Sequence, residues 1–142
     1  MREIEFRGKS IGGEWVYGVL MPFWNRDKEI KMYCIIPYNI GLIKDTSIWE
    51  IQIQVDPDTI GQFTGIKDCN GVKIYEGDIL KCLDPEGDDY LSFVRYDDGA
   101  FIIDVQFRDY DCTAIGWALA SDLDGVEVVG NIHDNLELIK GK

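Results

Sequence analysis

Carboxylates are the chemical groups this sequence supplies in quantity: 26 Asp and Glu against 14 Lys and Arg, with one histidine. Asp84, Glu86 and Asp88 alternate in a run that ends at Asp89, the spacing with which calcium loops begin. A calcium loop also needs glycine at its sixth position and glutamate at its twelfth. Asp89 and Arg95 stand there instead, so the run reads as a solvated hairpin tip. Asp109 and Asp111 flank Tyr110. Two carboxylates divide acid and base work only when their surroundings split their pKa values, and an exposed turn does not do that. His133, the sole histidine, lies at an expected strand end with no serine or cysteine placed beside it by a known motif, which favours a structural role over a general base.

Cys34, Cys69, Cys82 and Cys112 are dispersed, with no Cys-x-x-Cys. With one histidine, a Cys/His zinc site is disfavoured. The four read as reduced thiols used as small hydrophobes. No metal and no cofactor is expected. Gly61-Gln-Phe-Thr-Gly65 has the look of a phosphate loop, but that motif must feed a helix N-terminus, and here a hairpin follows. Its glycines are expected to allow two tight turns. Trp15, Trp24, Trp49 and Trp117 are expected in the core of a β domain.

Charge is unevenly distributed. The chain carries −12 in total, and residues 84–127 hold 12 acids against Arg95 and Arg108. Phosphate contacts need Lys and Arg, so direct nucleic-acid binding is disfavoured. A basic protein partner suits such a surface. Asp88, Asp89, Asp97 and Asp98 form the candidate partner-facing cluster.

The elements that must position these groups are strands. Ile4 and Phe6 alternate with Glu3, Glu5 and Arg7. Trp15, Tyr17 and Val19 share a face after the turn Gly12-Gly13, in a strand expected to stop at Pro22. Ile30 to Ile36 is a short apolar run bounded by Pro37, with Asn25-Arg26-Asp27-Lys28 as the turn before it. Ile51, Ile53 and Val55 alternate with glutamines. Asn70-Gly71 predicts a two-residue type I′ hairpin loop, and Glu76-Gly77 a second turn into a strand from Asp78 to Cys82. Tyr90 to Tyr96 is a strand, Asp97-Asp98-Gly99 a hairpin turn, and Phe101, Ile103, Val105 and Phe107 alternate with Ile102, Asp104, Gln106 and Arg108, which places Ile103 in the core. Val126, Val128, Gly130 and Ile132 share one more face. Thr113 to Leu123 is the one segment with a helical pattern, and Ile115-Gly116-Trp117 fits a strand end as well.

Fifteen glycines and closely spaced turn signals give an all-β fold: a compact antiparallel barrel-like domain with at most one short helix. A chain of 142 residues fits a single domain, 1–142, with a weak subdivision into 1–55 and 56–142 at Val55-Asp56-Pro57. No apolar run approaches the ~20 residues of a membrane span. The opening Met-Arg-Glu-Ile-Glu-Phe-Arg lacks a signal peptide's apolar centre, so a cytoplasmic location is expected. The composition leaves homo-oligomerisation open.

Three words resemble the YopX family of phage and prophage proteins. The central one comprises Gly61-Gln-Phe-Thr-Gly-Ile-Lys-Asp68, Asn70-Gly71 and Lys73-Ile-Tyr-Glu-Gly-Asp-Ile79. Val128-Val-Gly-Asn-Ile-His-Asp-Asn-Leu-Glu-Leu138 closes the chain, and Met1 to Gly8 with Glu14-Trp-Val-Tyr-Gly18 opens it. Cys69 stands where a lysine is common, and Leu136 where a proline is often found. The resemblance implies an all-β fold and a phage-derived context, and it implies no reaction and no catalytic residues. Gly77-Asp78-Ile79-Leu80 also resembles strand starts of SH3-like barrels. The leading expectation is therefore a non-enzymatic accessory protein in a bacterial host cell, acting on an unidentified protein partner. The alternatives are an acidic DNA mimic that occupies a host DNA-binding protein, or an enzyme with a carboxylate site.

Overall fold

The structure, a computed structural model, describes residues 3–38, 51–83, 86–97, 99–104, 112–114 and 125–140. Its strands are β1 (Phe6–Lys9), β2 (Trp15–Trp24), β3 (Ile30–Pro37), β4 (Ile53–Val55), β5 (Gly61–Lys67), β6 (Lys73–Tyr75), β7 (Asp78–Leu83), β8 (Asp89–Phe93), β9 (Arg95–Asp97), β10 (Ala100–Asp104), β11 (Cys112–Ala114) and β12 (Glu127–Asn131). Every pairing with a described register is antiparallel. Short 3-10 turns span Pro57–Thr59 and Leu136–Leu138. The chain is all-β, as its turn spacing predicts. Thr113 and Ala114, the start of the helical pattern, lie in β11; residues 115–124 lie outside the described set.

Two compact units divide at Phe63 and Thr64. In the first, strands run in the order β4-β3-β2-β1, with the first residues of β5 beside β1. The end of β4 returns to the end of β1: Ser10 bridges Val55, and the Asp56 N–H donates to the Lys9 carbonyl at 2.8 Å. Gly8 permits this closure, since a β-carbon there would sit 3.0 Å from Val55. The core is Val16, Ile35 and Val55, with Leu20, Tyr33, Ile53 and Ile60 packed against it.

Trp15, Tyr17 and Val19 share a face, as expected, and the structure decides which faces of β1 and β2 turn inward. In β2 the core face carries Val16, Gly18 and Leu20, while Tyr17 and Val19 are exposed and Trp15 is half-buried. Next to β1, Glu5 and Arg7 are buried and Ile4 is 52% exposed. The Arg7 guanidinium lies over the Trp15 ring, 4.7 Å from its centroid, and Lys9 Nζ approaches the same ring at 5.6 Å. Cation–π contact compensates for desolvation, which is how an apparently polar face turns inward. Nor does β2 stop at Pro22, which is paired with Tyr33 inside it. The described register of β1 on β2 ends at Gly18, so at position 22 a residue without an N–H costs no ladder bond on that side.

Three hairpins of the molecule share one loop design. In Ser10–Glu14, Asn25–Glu29 and Asp68–Val72, the first residue's N–H donates to the last residue's carbonyl at 2.8–3.0 Å. The fourth residue's N–H donates back to the first carbonyl at 2.9–3.1 Å. The first side chain then accepts from the last N–H: Ser10 Oγ at 3.3 Å, Asn25 Oδ1 at 3.1 Å and Asp68 Oδ1 at 2.8 Å. This is a three-residue loop whose third residue adopts positive φ. Asn70-Gly71 is therefore part of a three-residue loop, not the two-residue type I′ loop expected. Asp68 wins the competition because its side chain binds the backbone two and four residues on.

The positive-φ positions hold Gly13 (φ 83), Lys28 (φ 64) and Gly71 (φ 79). Left-handed backbone costs an L-residue about 1–2 kcal/mol, and glycine's extra unfolded freedom returns about 0.5–1 kcal/mol of that. Lys28→Gly is expected to stabilise the protein by about 0.5–1 kcal/mol, and Gly71→Ala to destabilise it by about the same. Urea unfolding of both variants checks the pair; shifts of the same sign would contradict the shared loop.

The second unit contains the sheets β12-β7-β8 and β11-β10-β9, and the pairing of β5 with β6. Ile74, Leu80, Cys82, Val94, Ile103 and Val126 form its core. Ile103 is 1% exposed and Phe101 packs against this core, as the alternation requires. Val105 and Phe107 lie outside the described residues. Asp97 pairs with Ala100, and Gly99 before Ala100 adopts φ 79, the positive value that favours glycine.

Candidate functional site

The central word builds backbone. Asp68, 7% exposed, accepts from the N–H of Asn70 (2.9 Å) and Val72 (2.8 Å) through Oδ1, and from Val128 (3.0 Å) through Oδ2. One carboxylate thus closes the β5–β6 turn and fastens it to β12. Asp78, 2% exposed, accepts from Tyr75 N–H at 2.7 Å through Oδ2. Around it, Gly77 (φ 90) donates to the Val94 carbonyl and receives the Ile132 N–H at 2.9 Å, while Val94 donates to the Asp78 carbonyl. Carboxylates that accept backbone N–H groups at this burial are fold-holding groups. Sequence reasoning missed both; the available signals were Asp68 two residues before Asn70 and Asp78 directly after a turn glycine.

The closing word works in the same way. Asn131 Oδ1 accepts from the N–H of His133 (3.0 Å) and Asp134 (2.9 Å), and Asn135 Oδ1 accepts from the Asn131 N–H at 3.2 Å. A β-carbon at Gly130 would lie 2.5 Å from Asn135 Oδ1, so glycine leaves room for that bond. His133 is half-buried in this turn.

Gly61-Gln-Phe-Thr-Gly65 lies within β5 and feeds the Asp68 hairpin, which removes the phosphate-loop geometry. It does not form the two tight turns expected: Gly61 is buried opposite Arg7, and Gly65 adopts φ 89 inside the strand. Of the tryptophans, Trp24 is 57% exposed rather than in the core, and Trp49 and Trp117 lie outside the described residues. Cys34 and Cys82 are buried, as small hydrophobes should be; Cys69 is exposed at the loop. Burial pushes the Cys34 thiol up and the Cys82 thiol up to about 11, although a hydrogen bond with Tyr90 draws Cys82 back somewhat. Both therefore stay neutral at physiological pH and are poor nucleophiles. Among the described residues, no group of three or more His, Cys, Asp or Glu side chains could hold a metal ion. Asp84, Asp109 and Asp111 fall outside them.

The solvent-facing carboxylates are the remaining candidates. Asp88 and Asp89 are exposed where β7 turns into β8, and Asp97 is exposed where β9 turns into β10. Asp89 begins β8 and Asp97 ends β9, with buried Val94 between the two strands. Asp98 lies outside the described residues. Lys81 Nζ stands 4.0 Å from Asp89 and 3.9 Å from Glu127, and all three side chains are well exposed, a contact worth ~0–1 kcal/mol that leaves the tip negative.

The SPbeta prophage-derived uncharacterized protein YopX of Bacillus subtilis (strain 168) is 37% identical over 75 residues, covering 50% of this chain and 53% of that protein. The match thus spans about half the length of this curated relative. The crystal structure of protein EF1440 from Enterococcus faecalis superposes with a TM-score of 0.58 at 26% identity, covering 99% of this chain and 100% of that one. The crystal structure of YopX from Bacillus subtilis gives a TM-score of 0.58 at 22% identity, covering 94% and 96%, and shares the fold. The YopX protein family model matches residues 5–140, which takes in all twelve strands and, save for residues 1–4, the three words, and the chain belongs to the YopX family.

Proposed function

We propose that this is a prophage-derived accessory protein without catalytic activity, which acts in the host cytoplasm by binding another protein. Its kinship to a relative named as SPbeta prophage-derived supports the origin. One observation carries the mode of action: the buried aspartates of the central word spend their oxygens on backbone amides, while Asp88, Asp89 and Asp97 face solvent. Chemistry addressed to the outside is therefore charge at hairpin ends, which steers a basic partner over a range of about a Debye length.

A pull-down from host lysate supplies the partner. Its association rate should fall as salt rises, and should fall at low salt when Asp88, Asp89, Asp97 and Asp98 are changed together to asparagine. Equal rates for wild type and variant at low and high salt would make the acids a solubilising surface only. A partner that binds DNA, and whose DNA competes with this protein, would specify charge mimicry as the form of the contact.

A further inference from the structure

We propose that Asn70 is a site of spontaneous backbone-assisted deamidation, and that Asp68 sets its rate by holding the turn shut. The Gly71 backbone nitrogen attacks the Asn70 side-chain amide carbon, giving up its proton to solvent, and ammonia leaves as a succinimide ring closes. Water then opens either ring carbonyl, leaving aspartate or isoaspartate. The balance is one water consumed and one ammonia released, so the reaction needs no other reagent.

Asn70 is the asparagine suited to this step. It is exposed, and the residue after it has no side chain to obstruct the attack. Nothing lies within 4 Å of where a Gly71 β-carbon would be. Asn25, Asn131 and Asn135 are followed by Arg26, Ile132 and Leu136, whose side chains crowd the attacking nitrogen.

The loop gates the reaction. The Gly71 N–H donates to the Asp68 carbonyl at 3.1 Å, and the Asn70 N–H donates to Asp68 Oδ1 at 2.9 Å. With both bonds made, the Gly71 N–H that must give up its proton is held by the Asp68 carbonyl, and ring closure proceeds from the locally opened loop. The product acts on the gate in return. Isoaspartate lengthens a three-residue loop by one backbone carbon and places a new negative charge two residues from Asp68. The same Asp68 carboxylate fastens Val128 of β12, so the modification irreversibly loosens the turn and that attachment together.

The purified protein is held in mildly alkaline buffer, deamidation is followed by intact mass, and isoaspartate is located by peptide mapping. Isoaspartate should appear at residue 70 before any other asparagine. The urea-unfolded wild type should convert about tenfold faster than the native protein, because the Asp68 bonds no longer oppose opening. Asp68→Ala, kept below its melting temperature, should move toward the unfolded rate, and Gly71→Ala should suppress conversion in the unfolded chain. First appearance of isoaspartate at another asparagine would overturn the site, and equal native and unfolded rates in wild type would overturn the gate. That second comparison decides the matter even if Asp68→Ala does not fold.

Discussion

Asp68→Ala is expected to cost about 3 kcal/mol of unfolding free energy, near the top of what one polar side chain contributes here. Its carboxylate accepts three backbone N–H groups, and bonds to a charged acceptor contribute about 1.5–3 kcal/mol each before non-additivity. Asn70 and Val72 are exposed, so water replaces part of the loss there. Val128 is only partly exposed, and its N–H pays more of the desolvation penalty. Asp68→Asn separates the two contributions. The amide oxygen can keep the turn bonds made by Oδ1, while the amide nitrogen must face the Val128 N–H, donor against donor. That variant should lose about 1–2 kcal/mol. For a chain of this size the alanine variant's melting temperature should drop by roughly 10 °C. An alanine variant within about 0.5 kcal/mol of wild type would mean that the β5–β6 turn and β12 are held by something other than this carboxylate.

That carboxylate also marks the limit of what the sequence made legible. Strand positions followed from alternation and from Gly, Pro and Asn-Gly punctuation, because a period of two and a positive φ are local properties. The burial of Ile103 and Val55 followed as well: Val55 alternates with polar neighbours, and Ile103 falls in the apolar series begun by Phe101, opposite Asp104. Which face turns inward did not follow where both faces are apolar. In β2, Trp15, Tyr17 and Val19 compete with Val16 and Leu20, and the choice is made by contacts with the neighbouring strands β1 and β3 rather than within β2. Beside β1 the local signal misleads, because Arg7 is buried against Trp15, a partner known only after the hairpin has formed. Asp68 is read as a turn residue by any local rule, yet its third bond reaches Val128, 60 positions on.

The candidate site was legible as charge and illegible as geometry. Composition shows an excess of acid in residues 84–127, but that Asp88, Asp89 and Asp97 are exposed at strand ends is a property of the fold. The central word misled in a different way. Long specific words invite a functional reading, and here the words carry the residues that hold turns: Asp68, Gly77, Asp78, Gly130, Asn131 and Asn135. A surface that meets a partner needs only charge and exposure, which many sequences satisfy. A carboxylate that must reach three amides has far fewer substitutes.

The opening word contains a position where even one methyl group should be costly. Gly18 sits in β2 between Phe6 of β1 and Pro37 of β3, on the face with Val16 and Leu20. A β-carbon built there would fall on the Ile36 carbonyl oxygen, 2.8 Å from its carbon and 2.9 Å from Pro37 Cα. These are backbone atoms, so no rotamer change makes room; β2 and β3 must move apart. That movement breaks ladder bonds on the β3 side and opens the packing of Val16 and Ile35. Gly18→Ala is therefore expected to cost about 3 kcal/mol, the upper end of overpacking, although alanine in place of glycine in a strand would otherwise gain about 0.5–1 kcal/mol. The opposite face supplies the control. Val19→Ala, one residue on and 46% exposed, should cost under about 1 kcal/mol. Urea unfolding of the two variants checks the contrast. Equal losses would show that β2 and β3 are not packed as closely at Gly18 as the Ile36 carbonyl requires, and the reason for glycine in Glu14-Trp-Val-Tyr-Gly18 would have to lie on the solvent side.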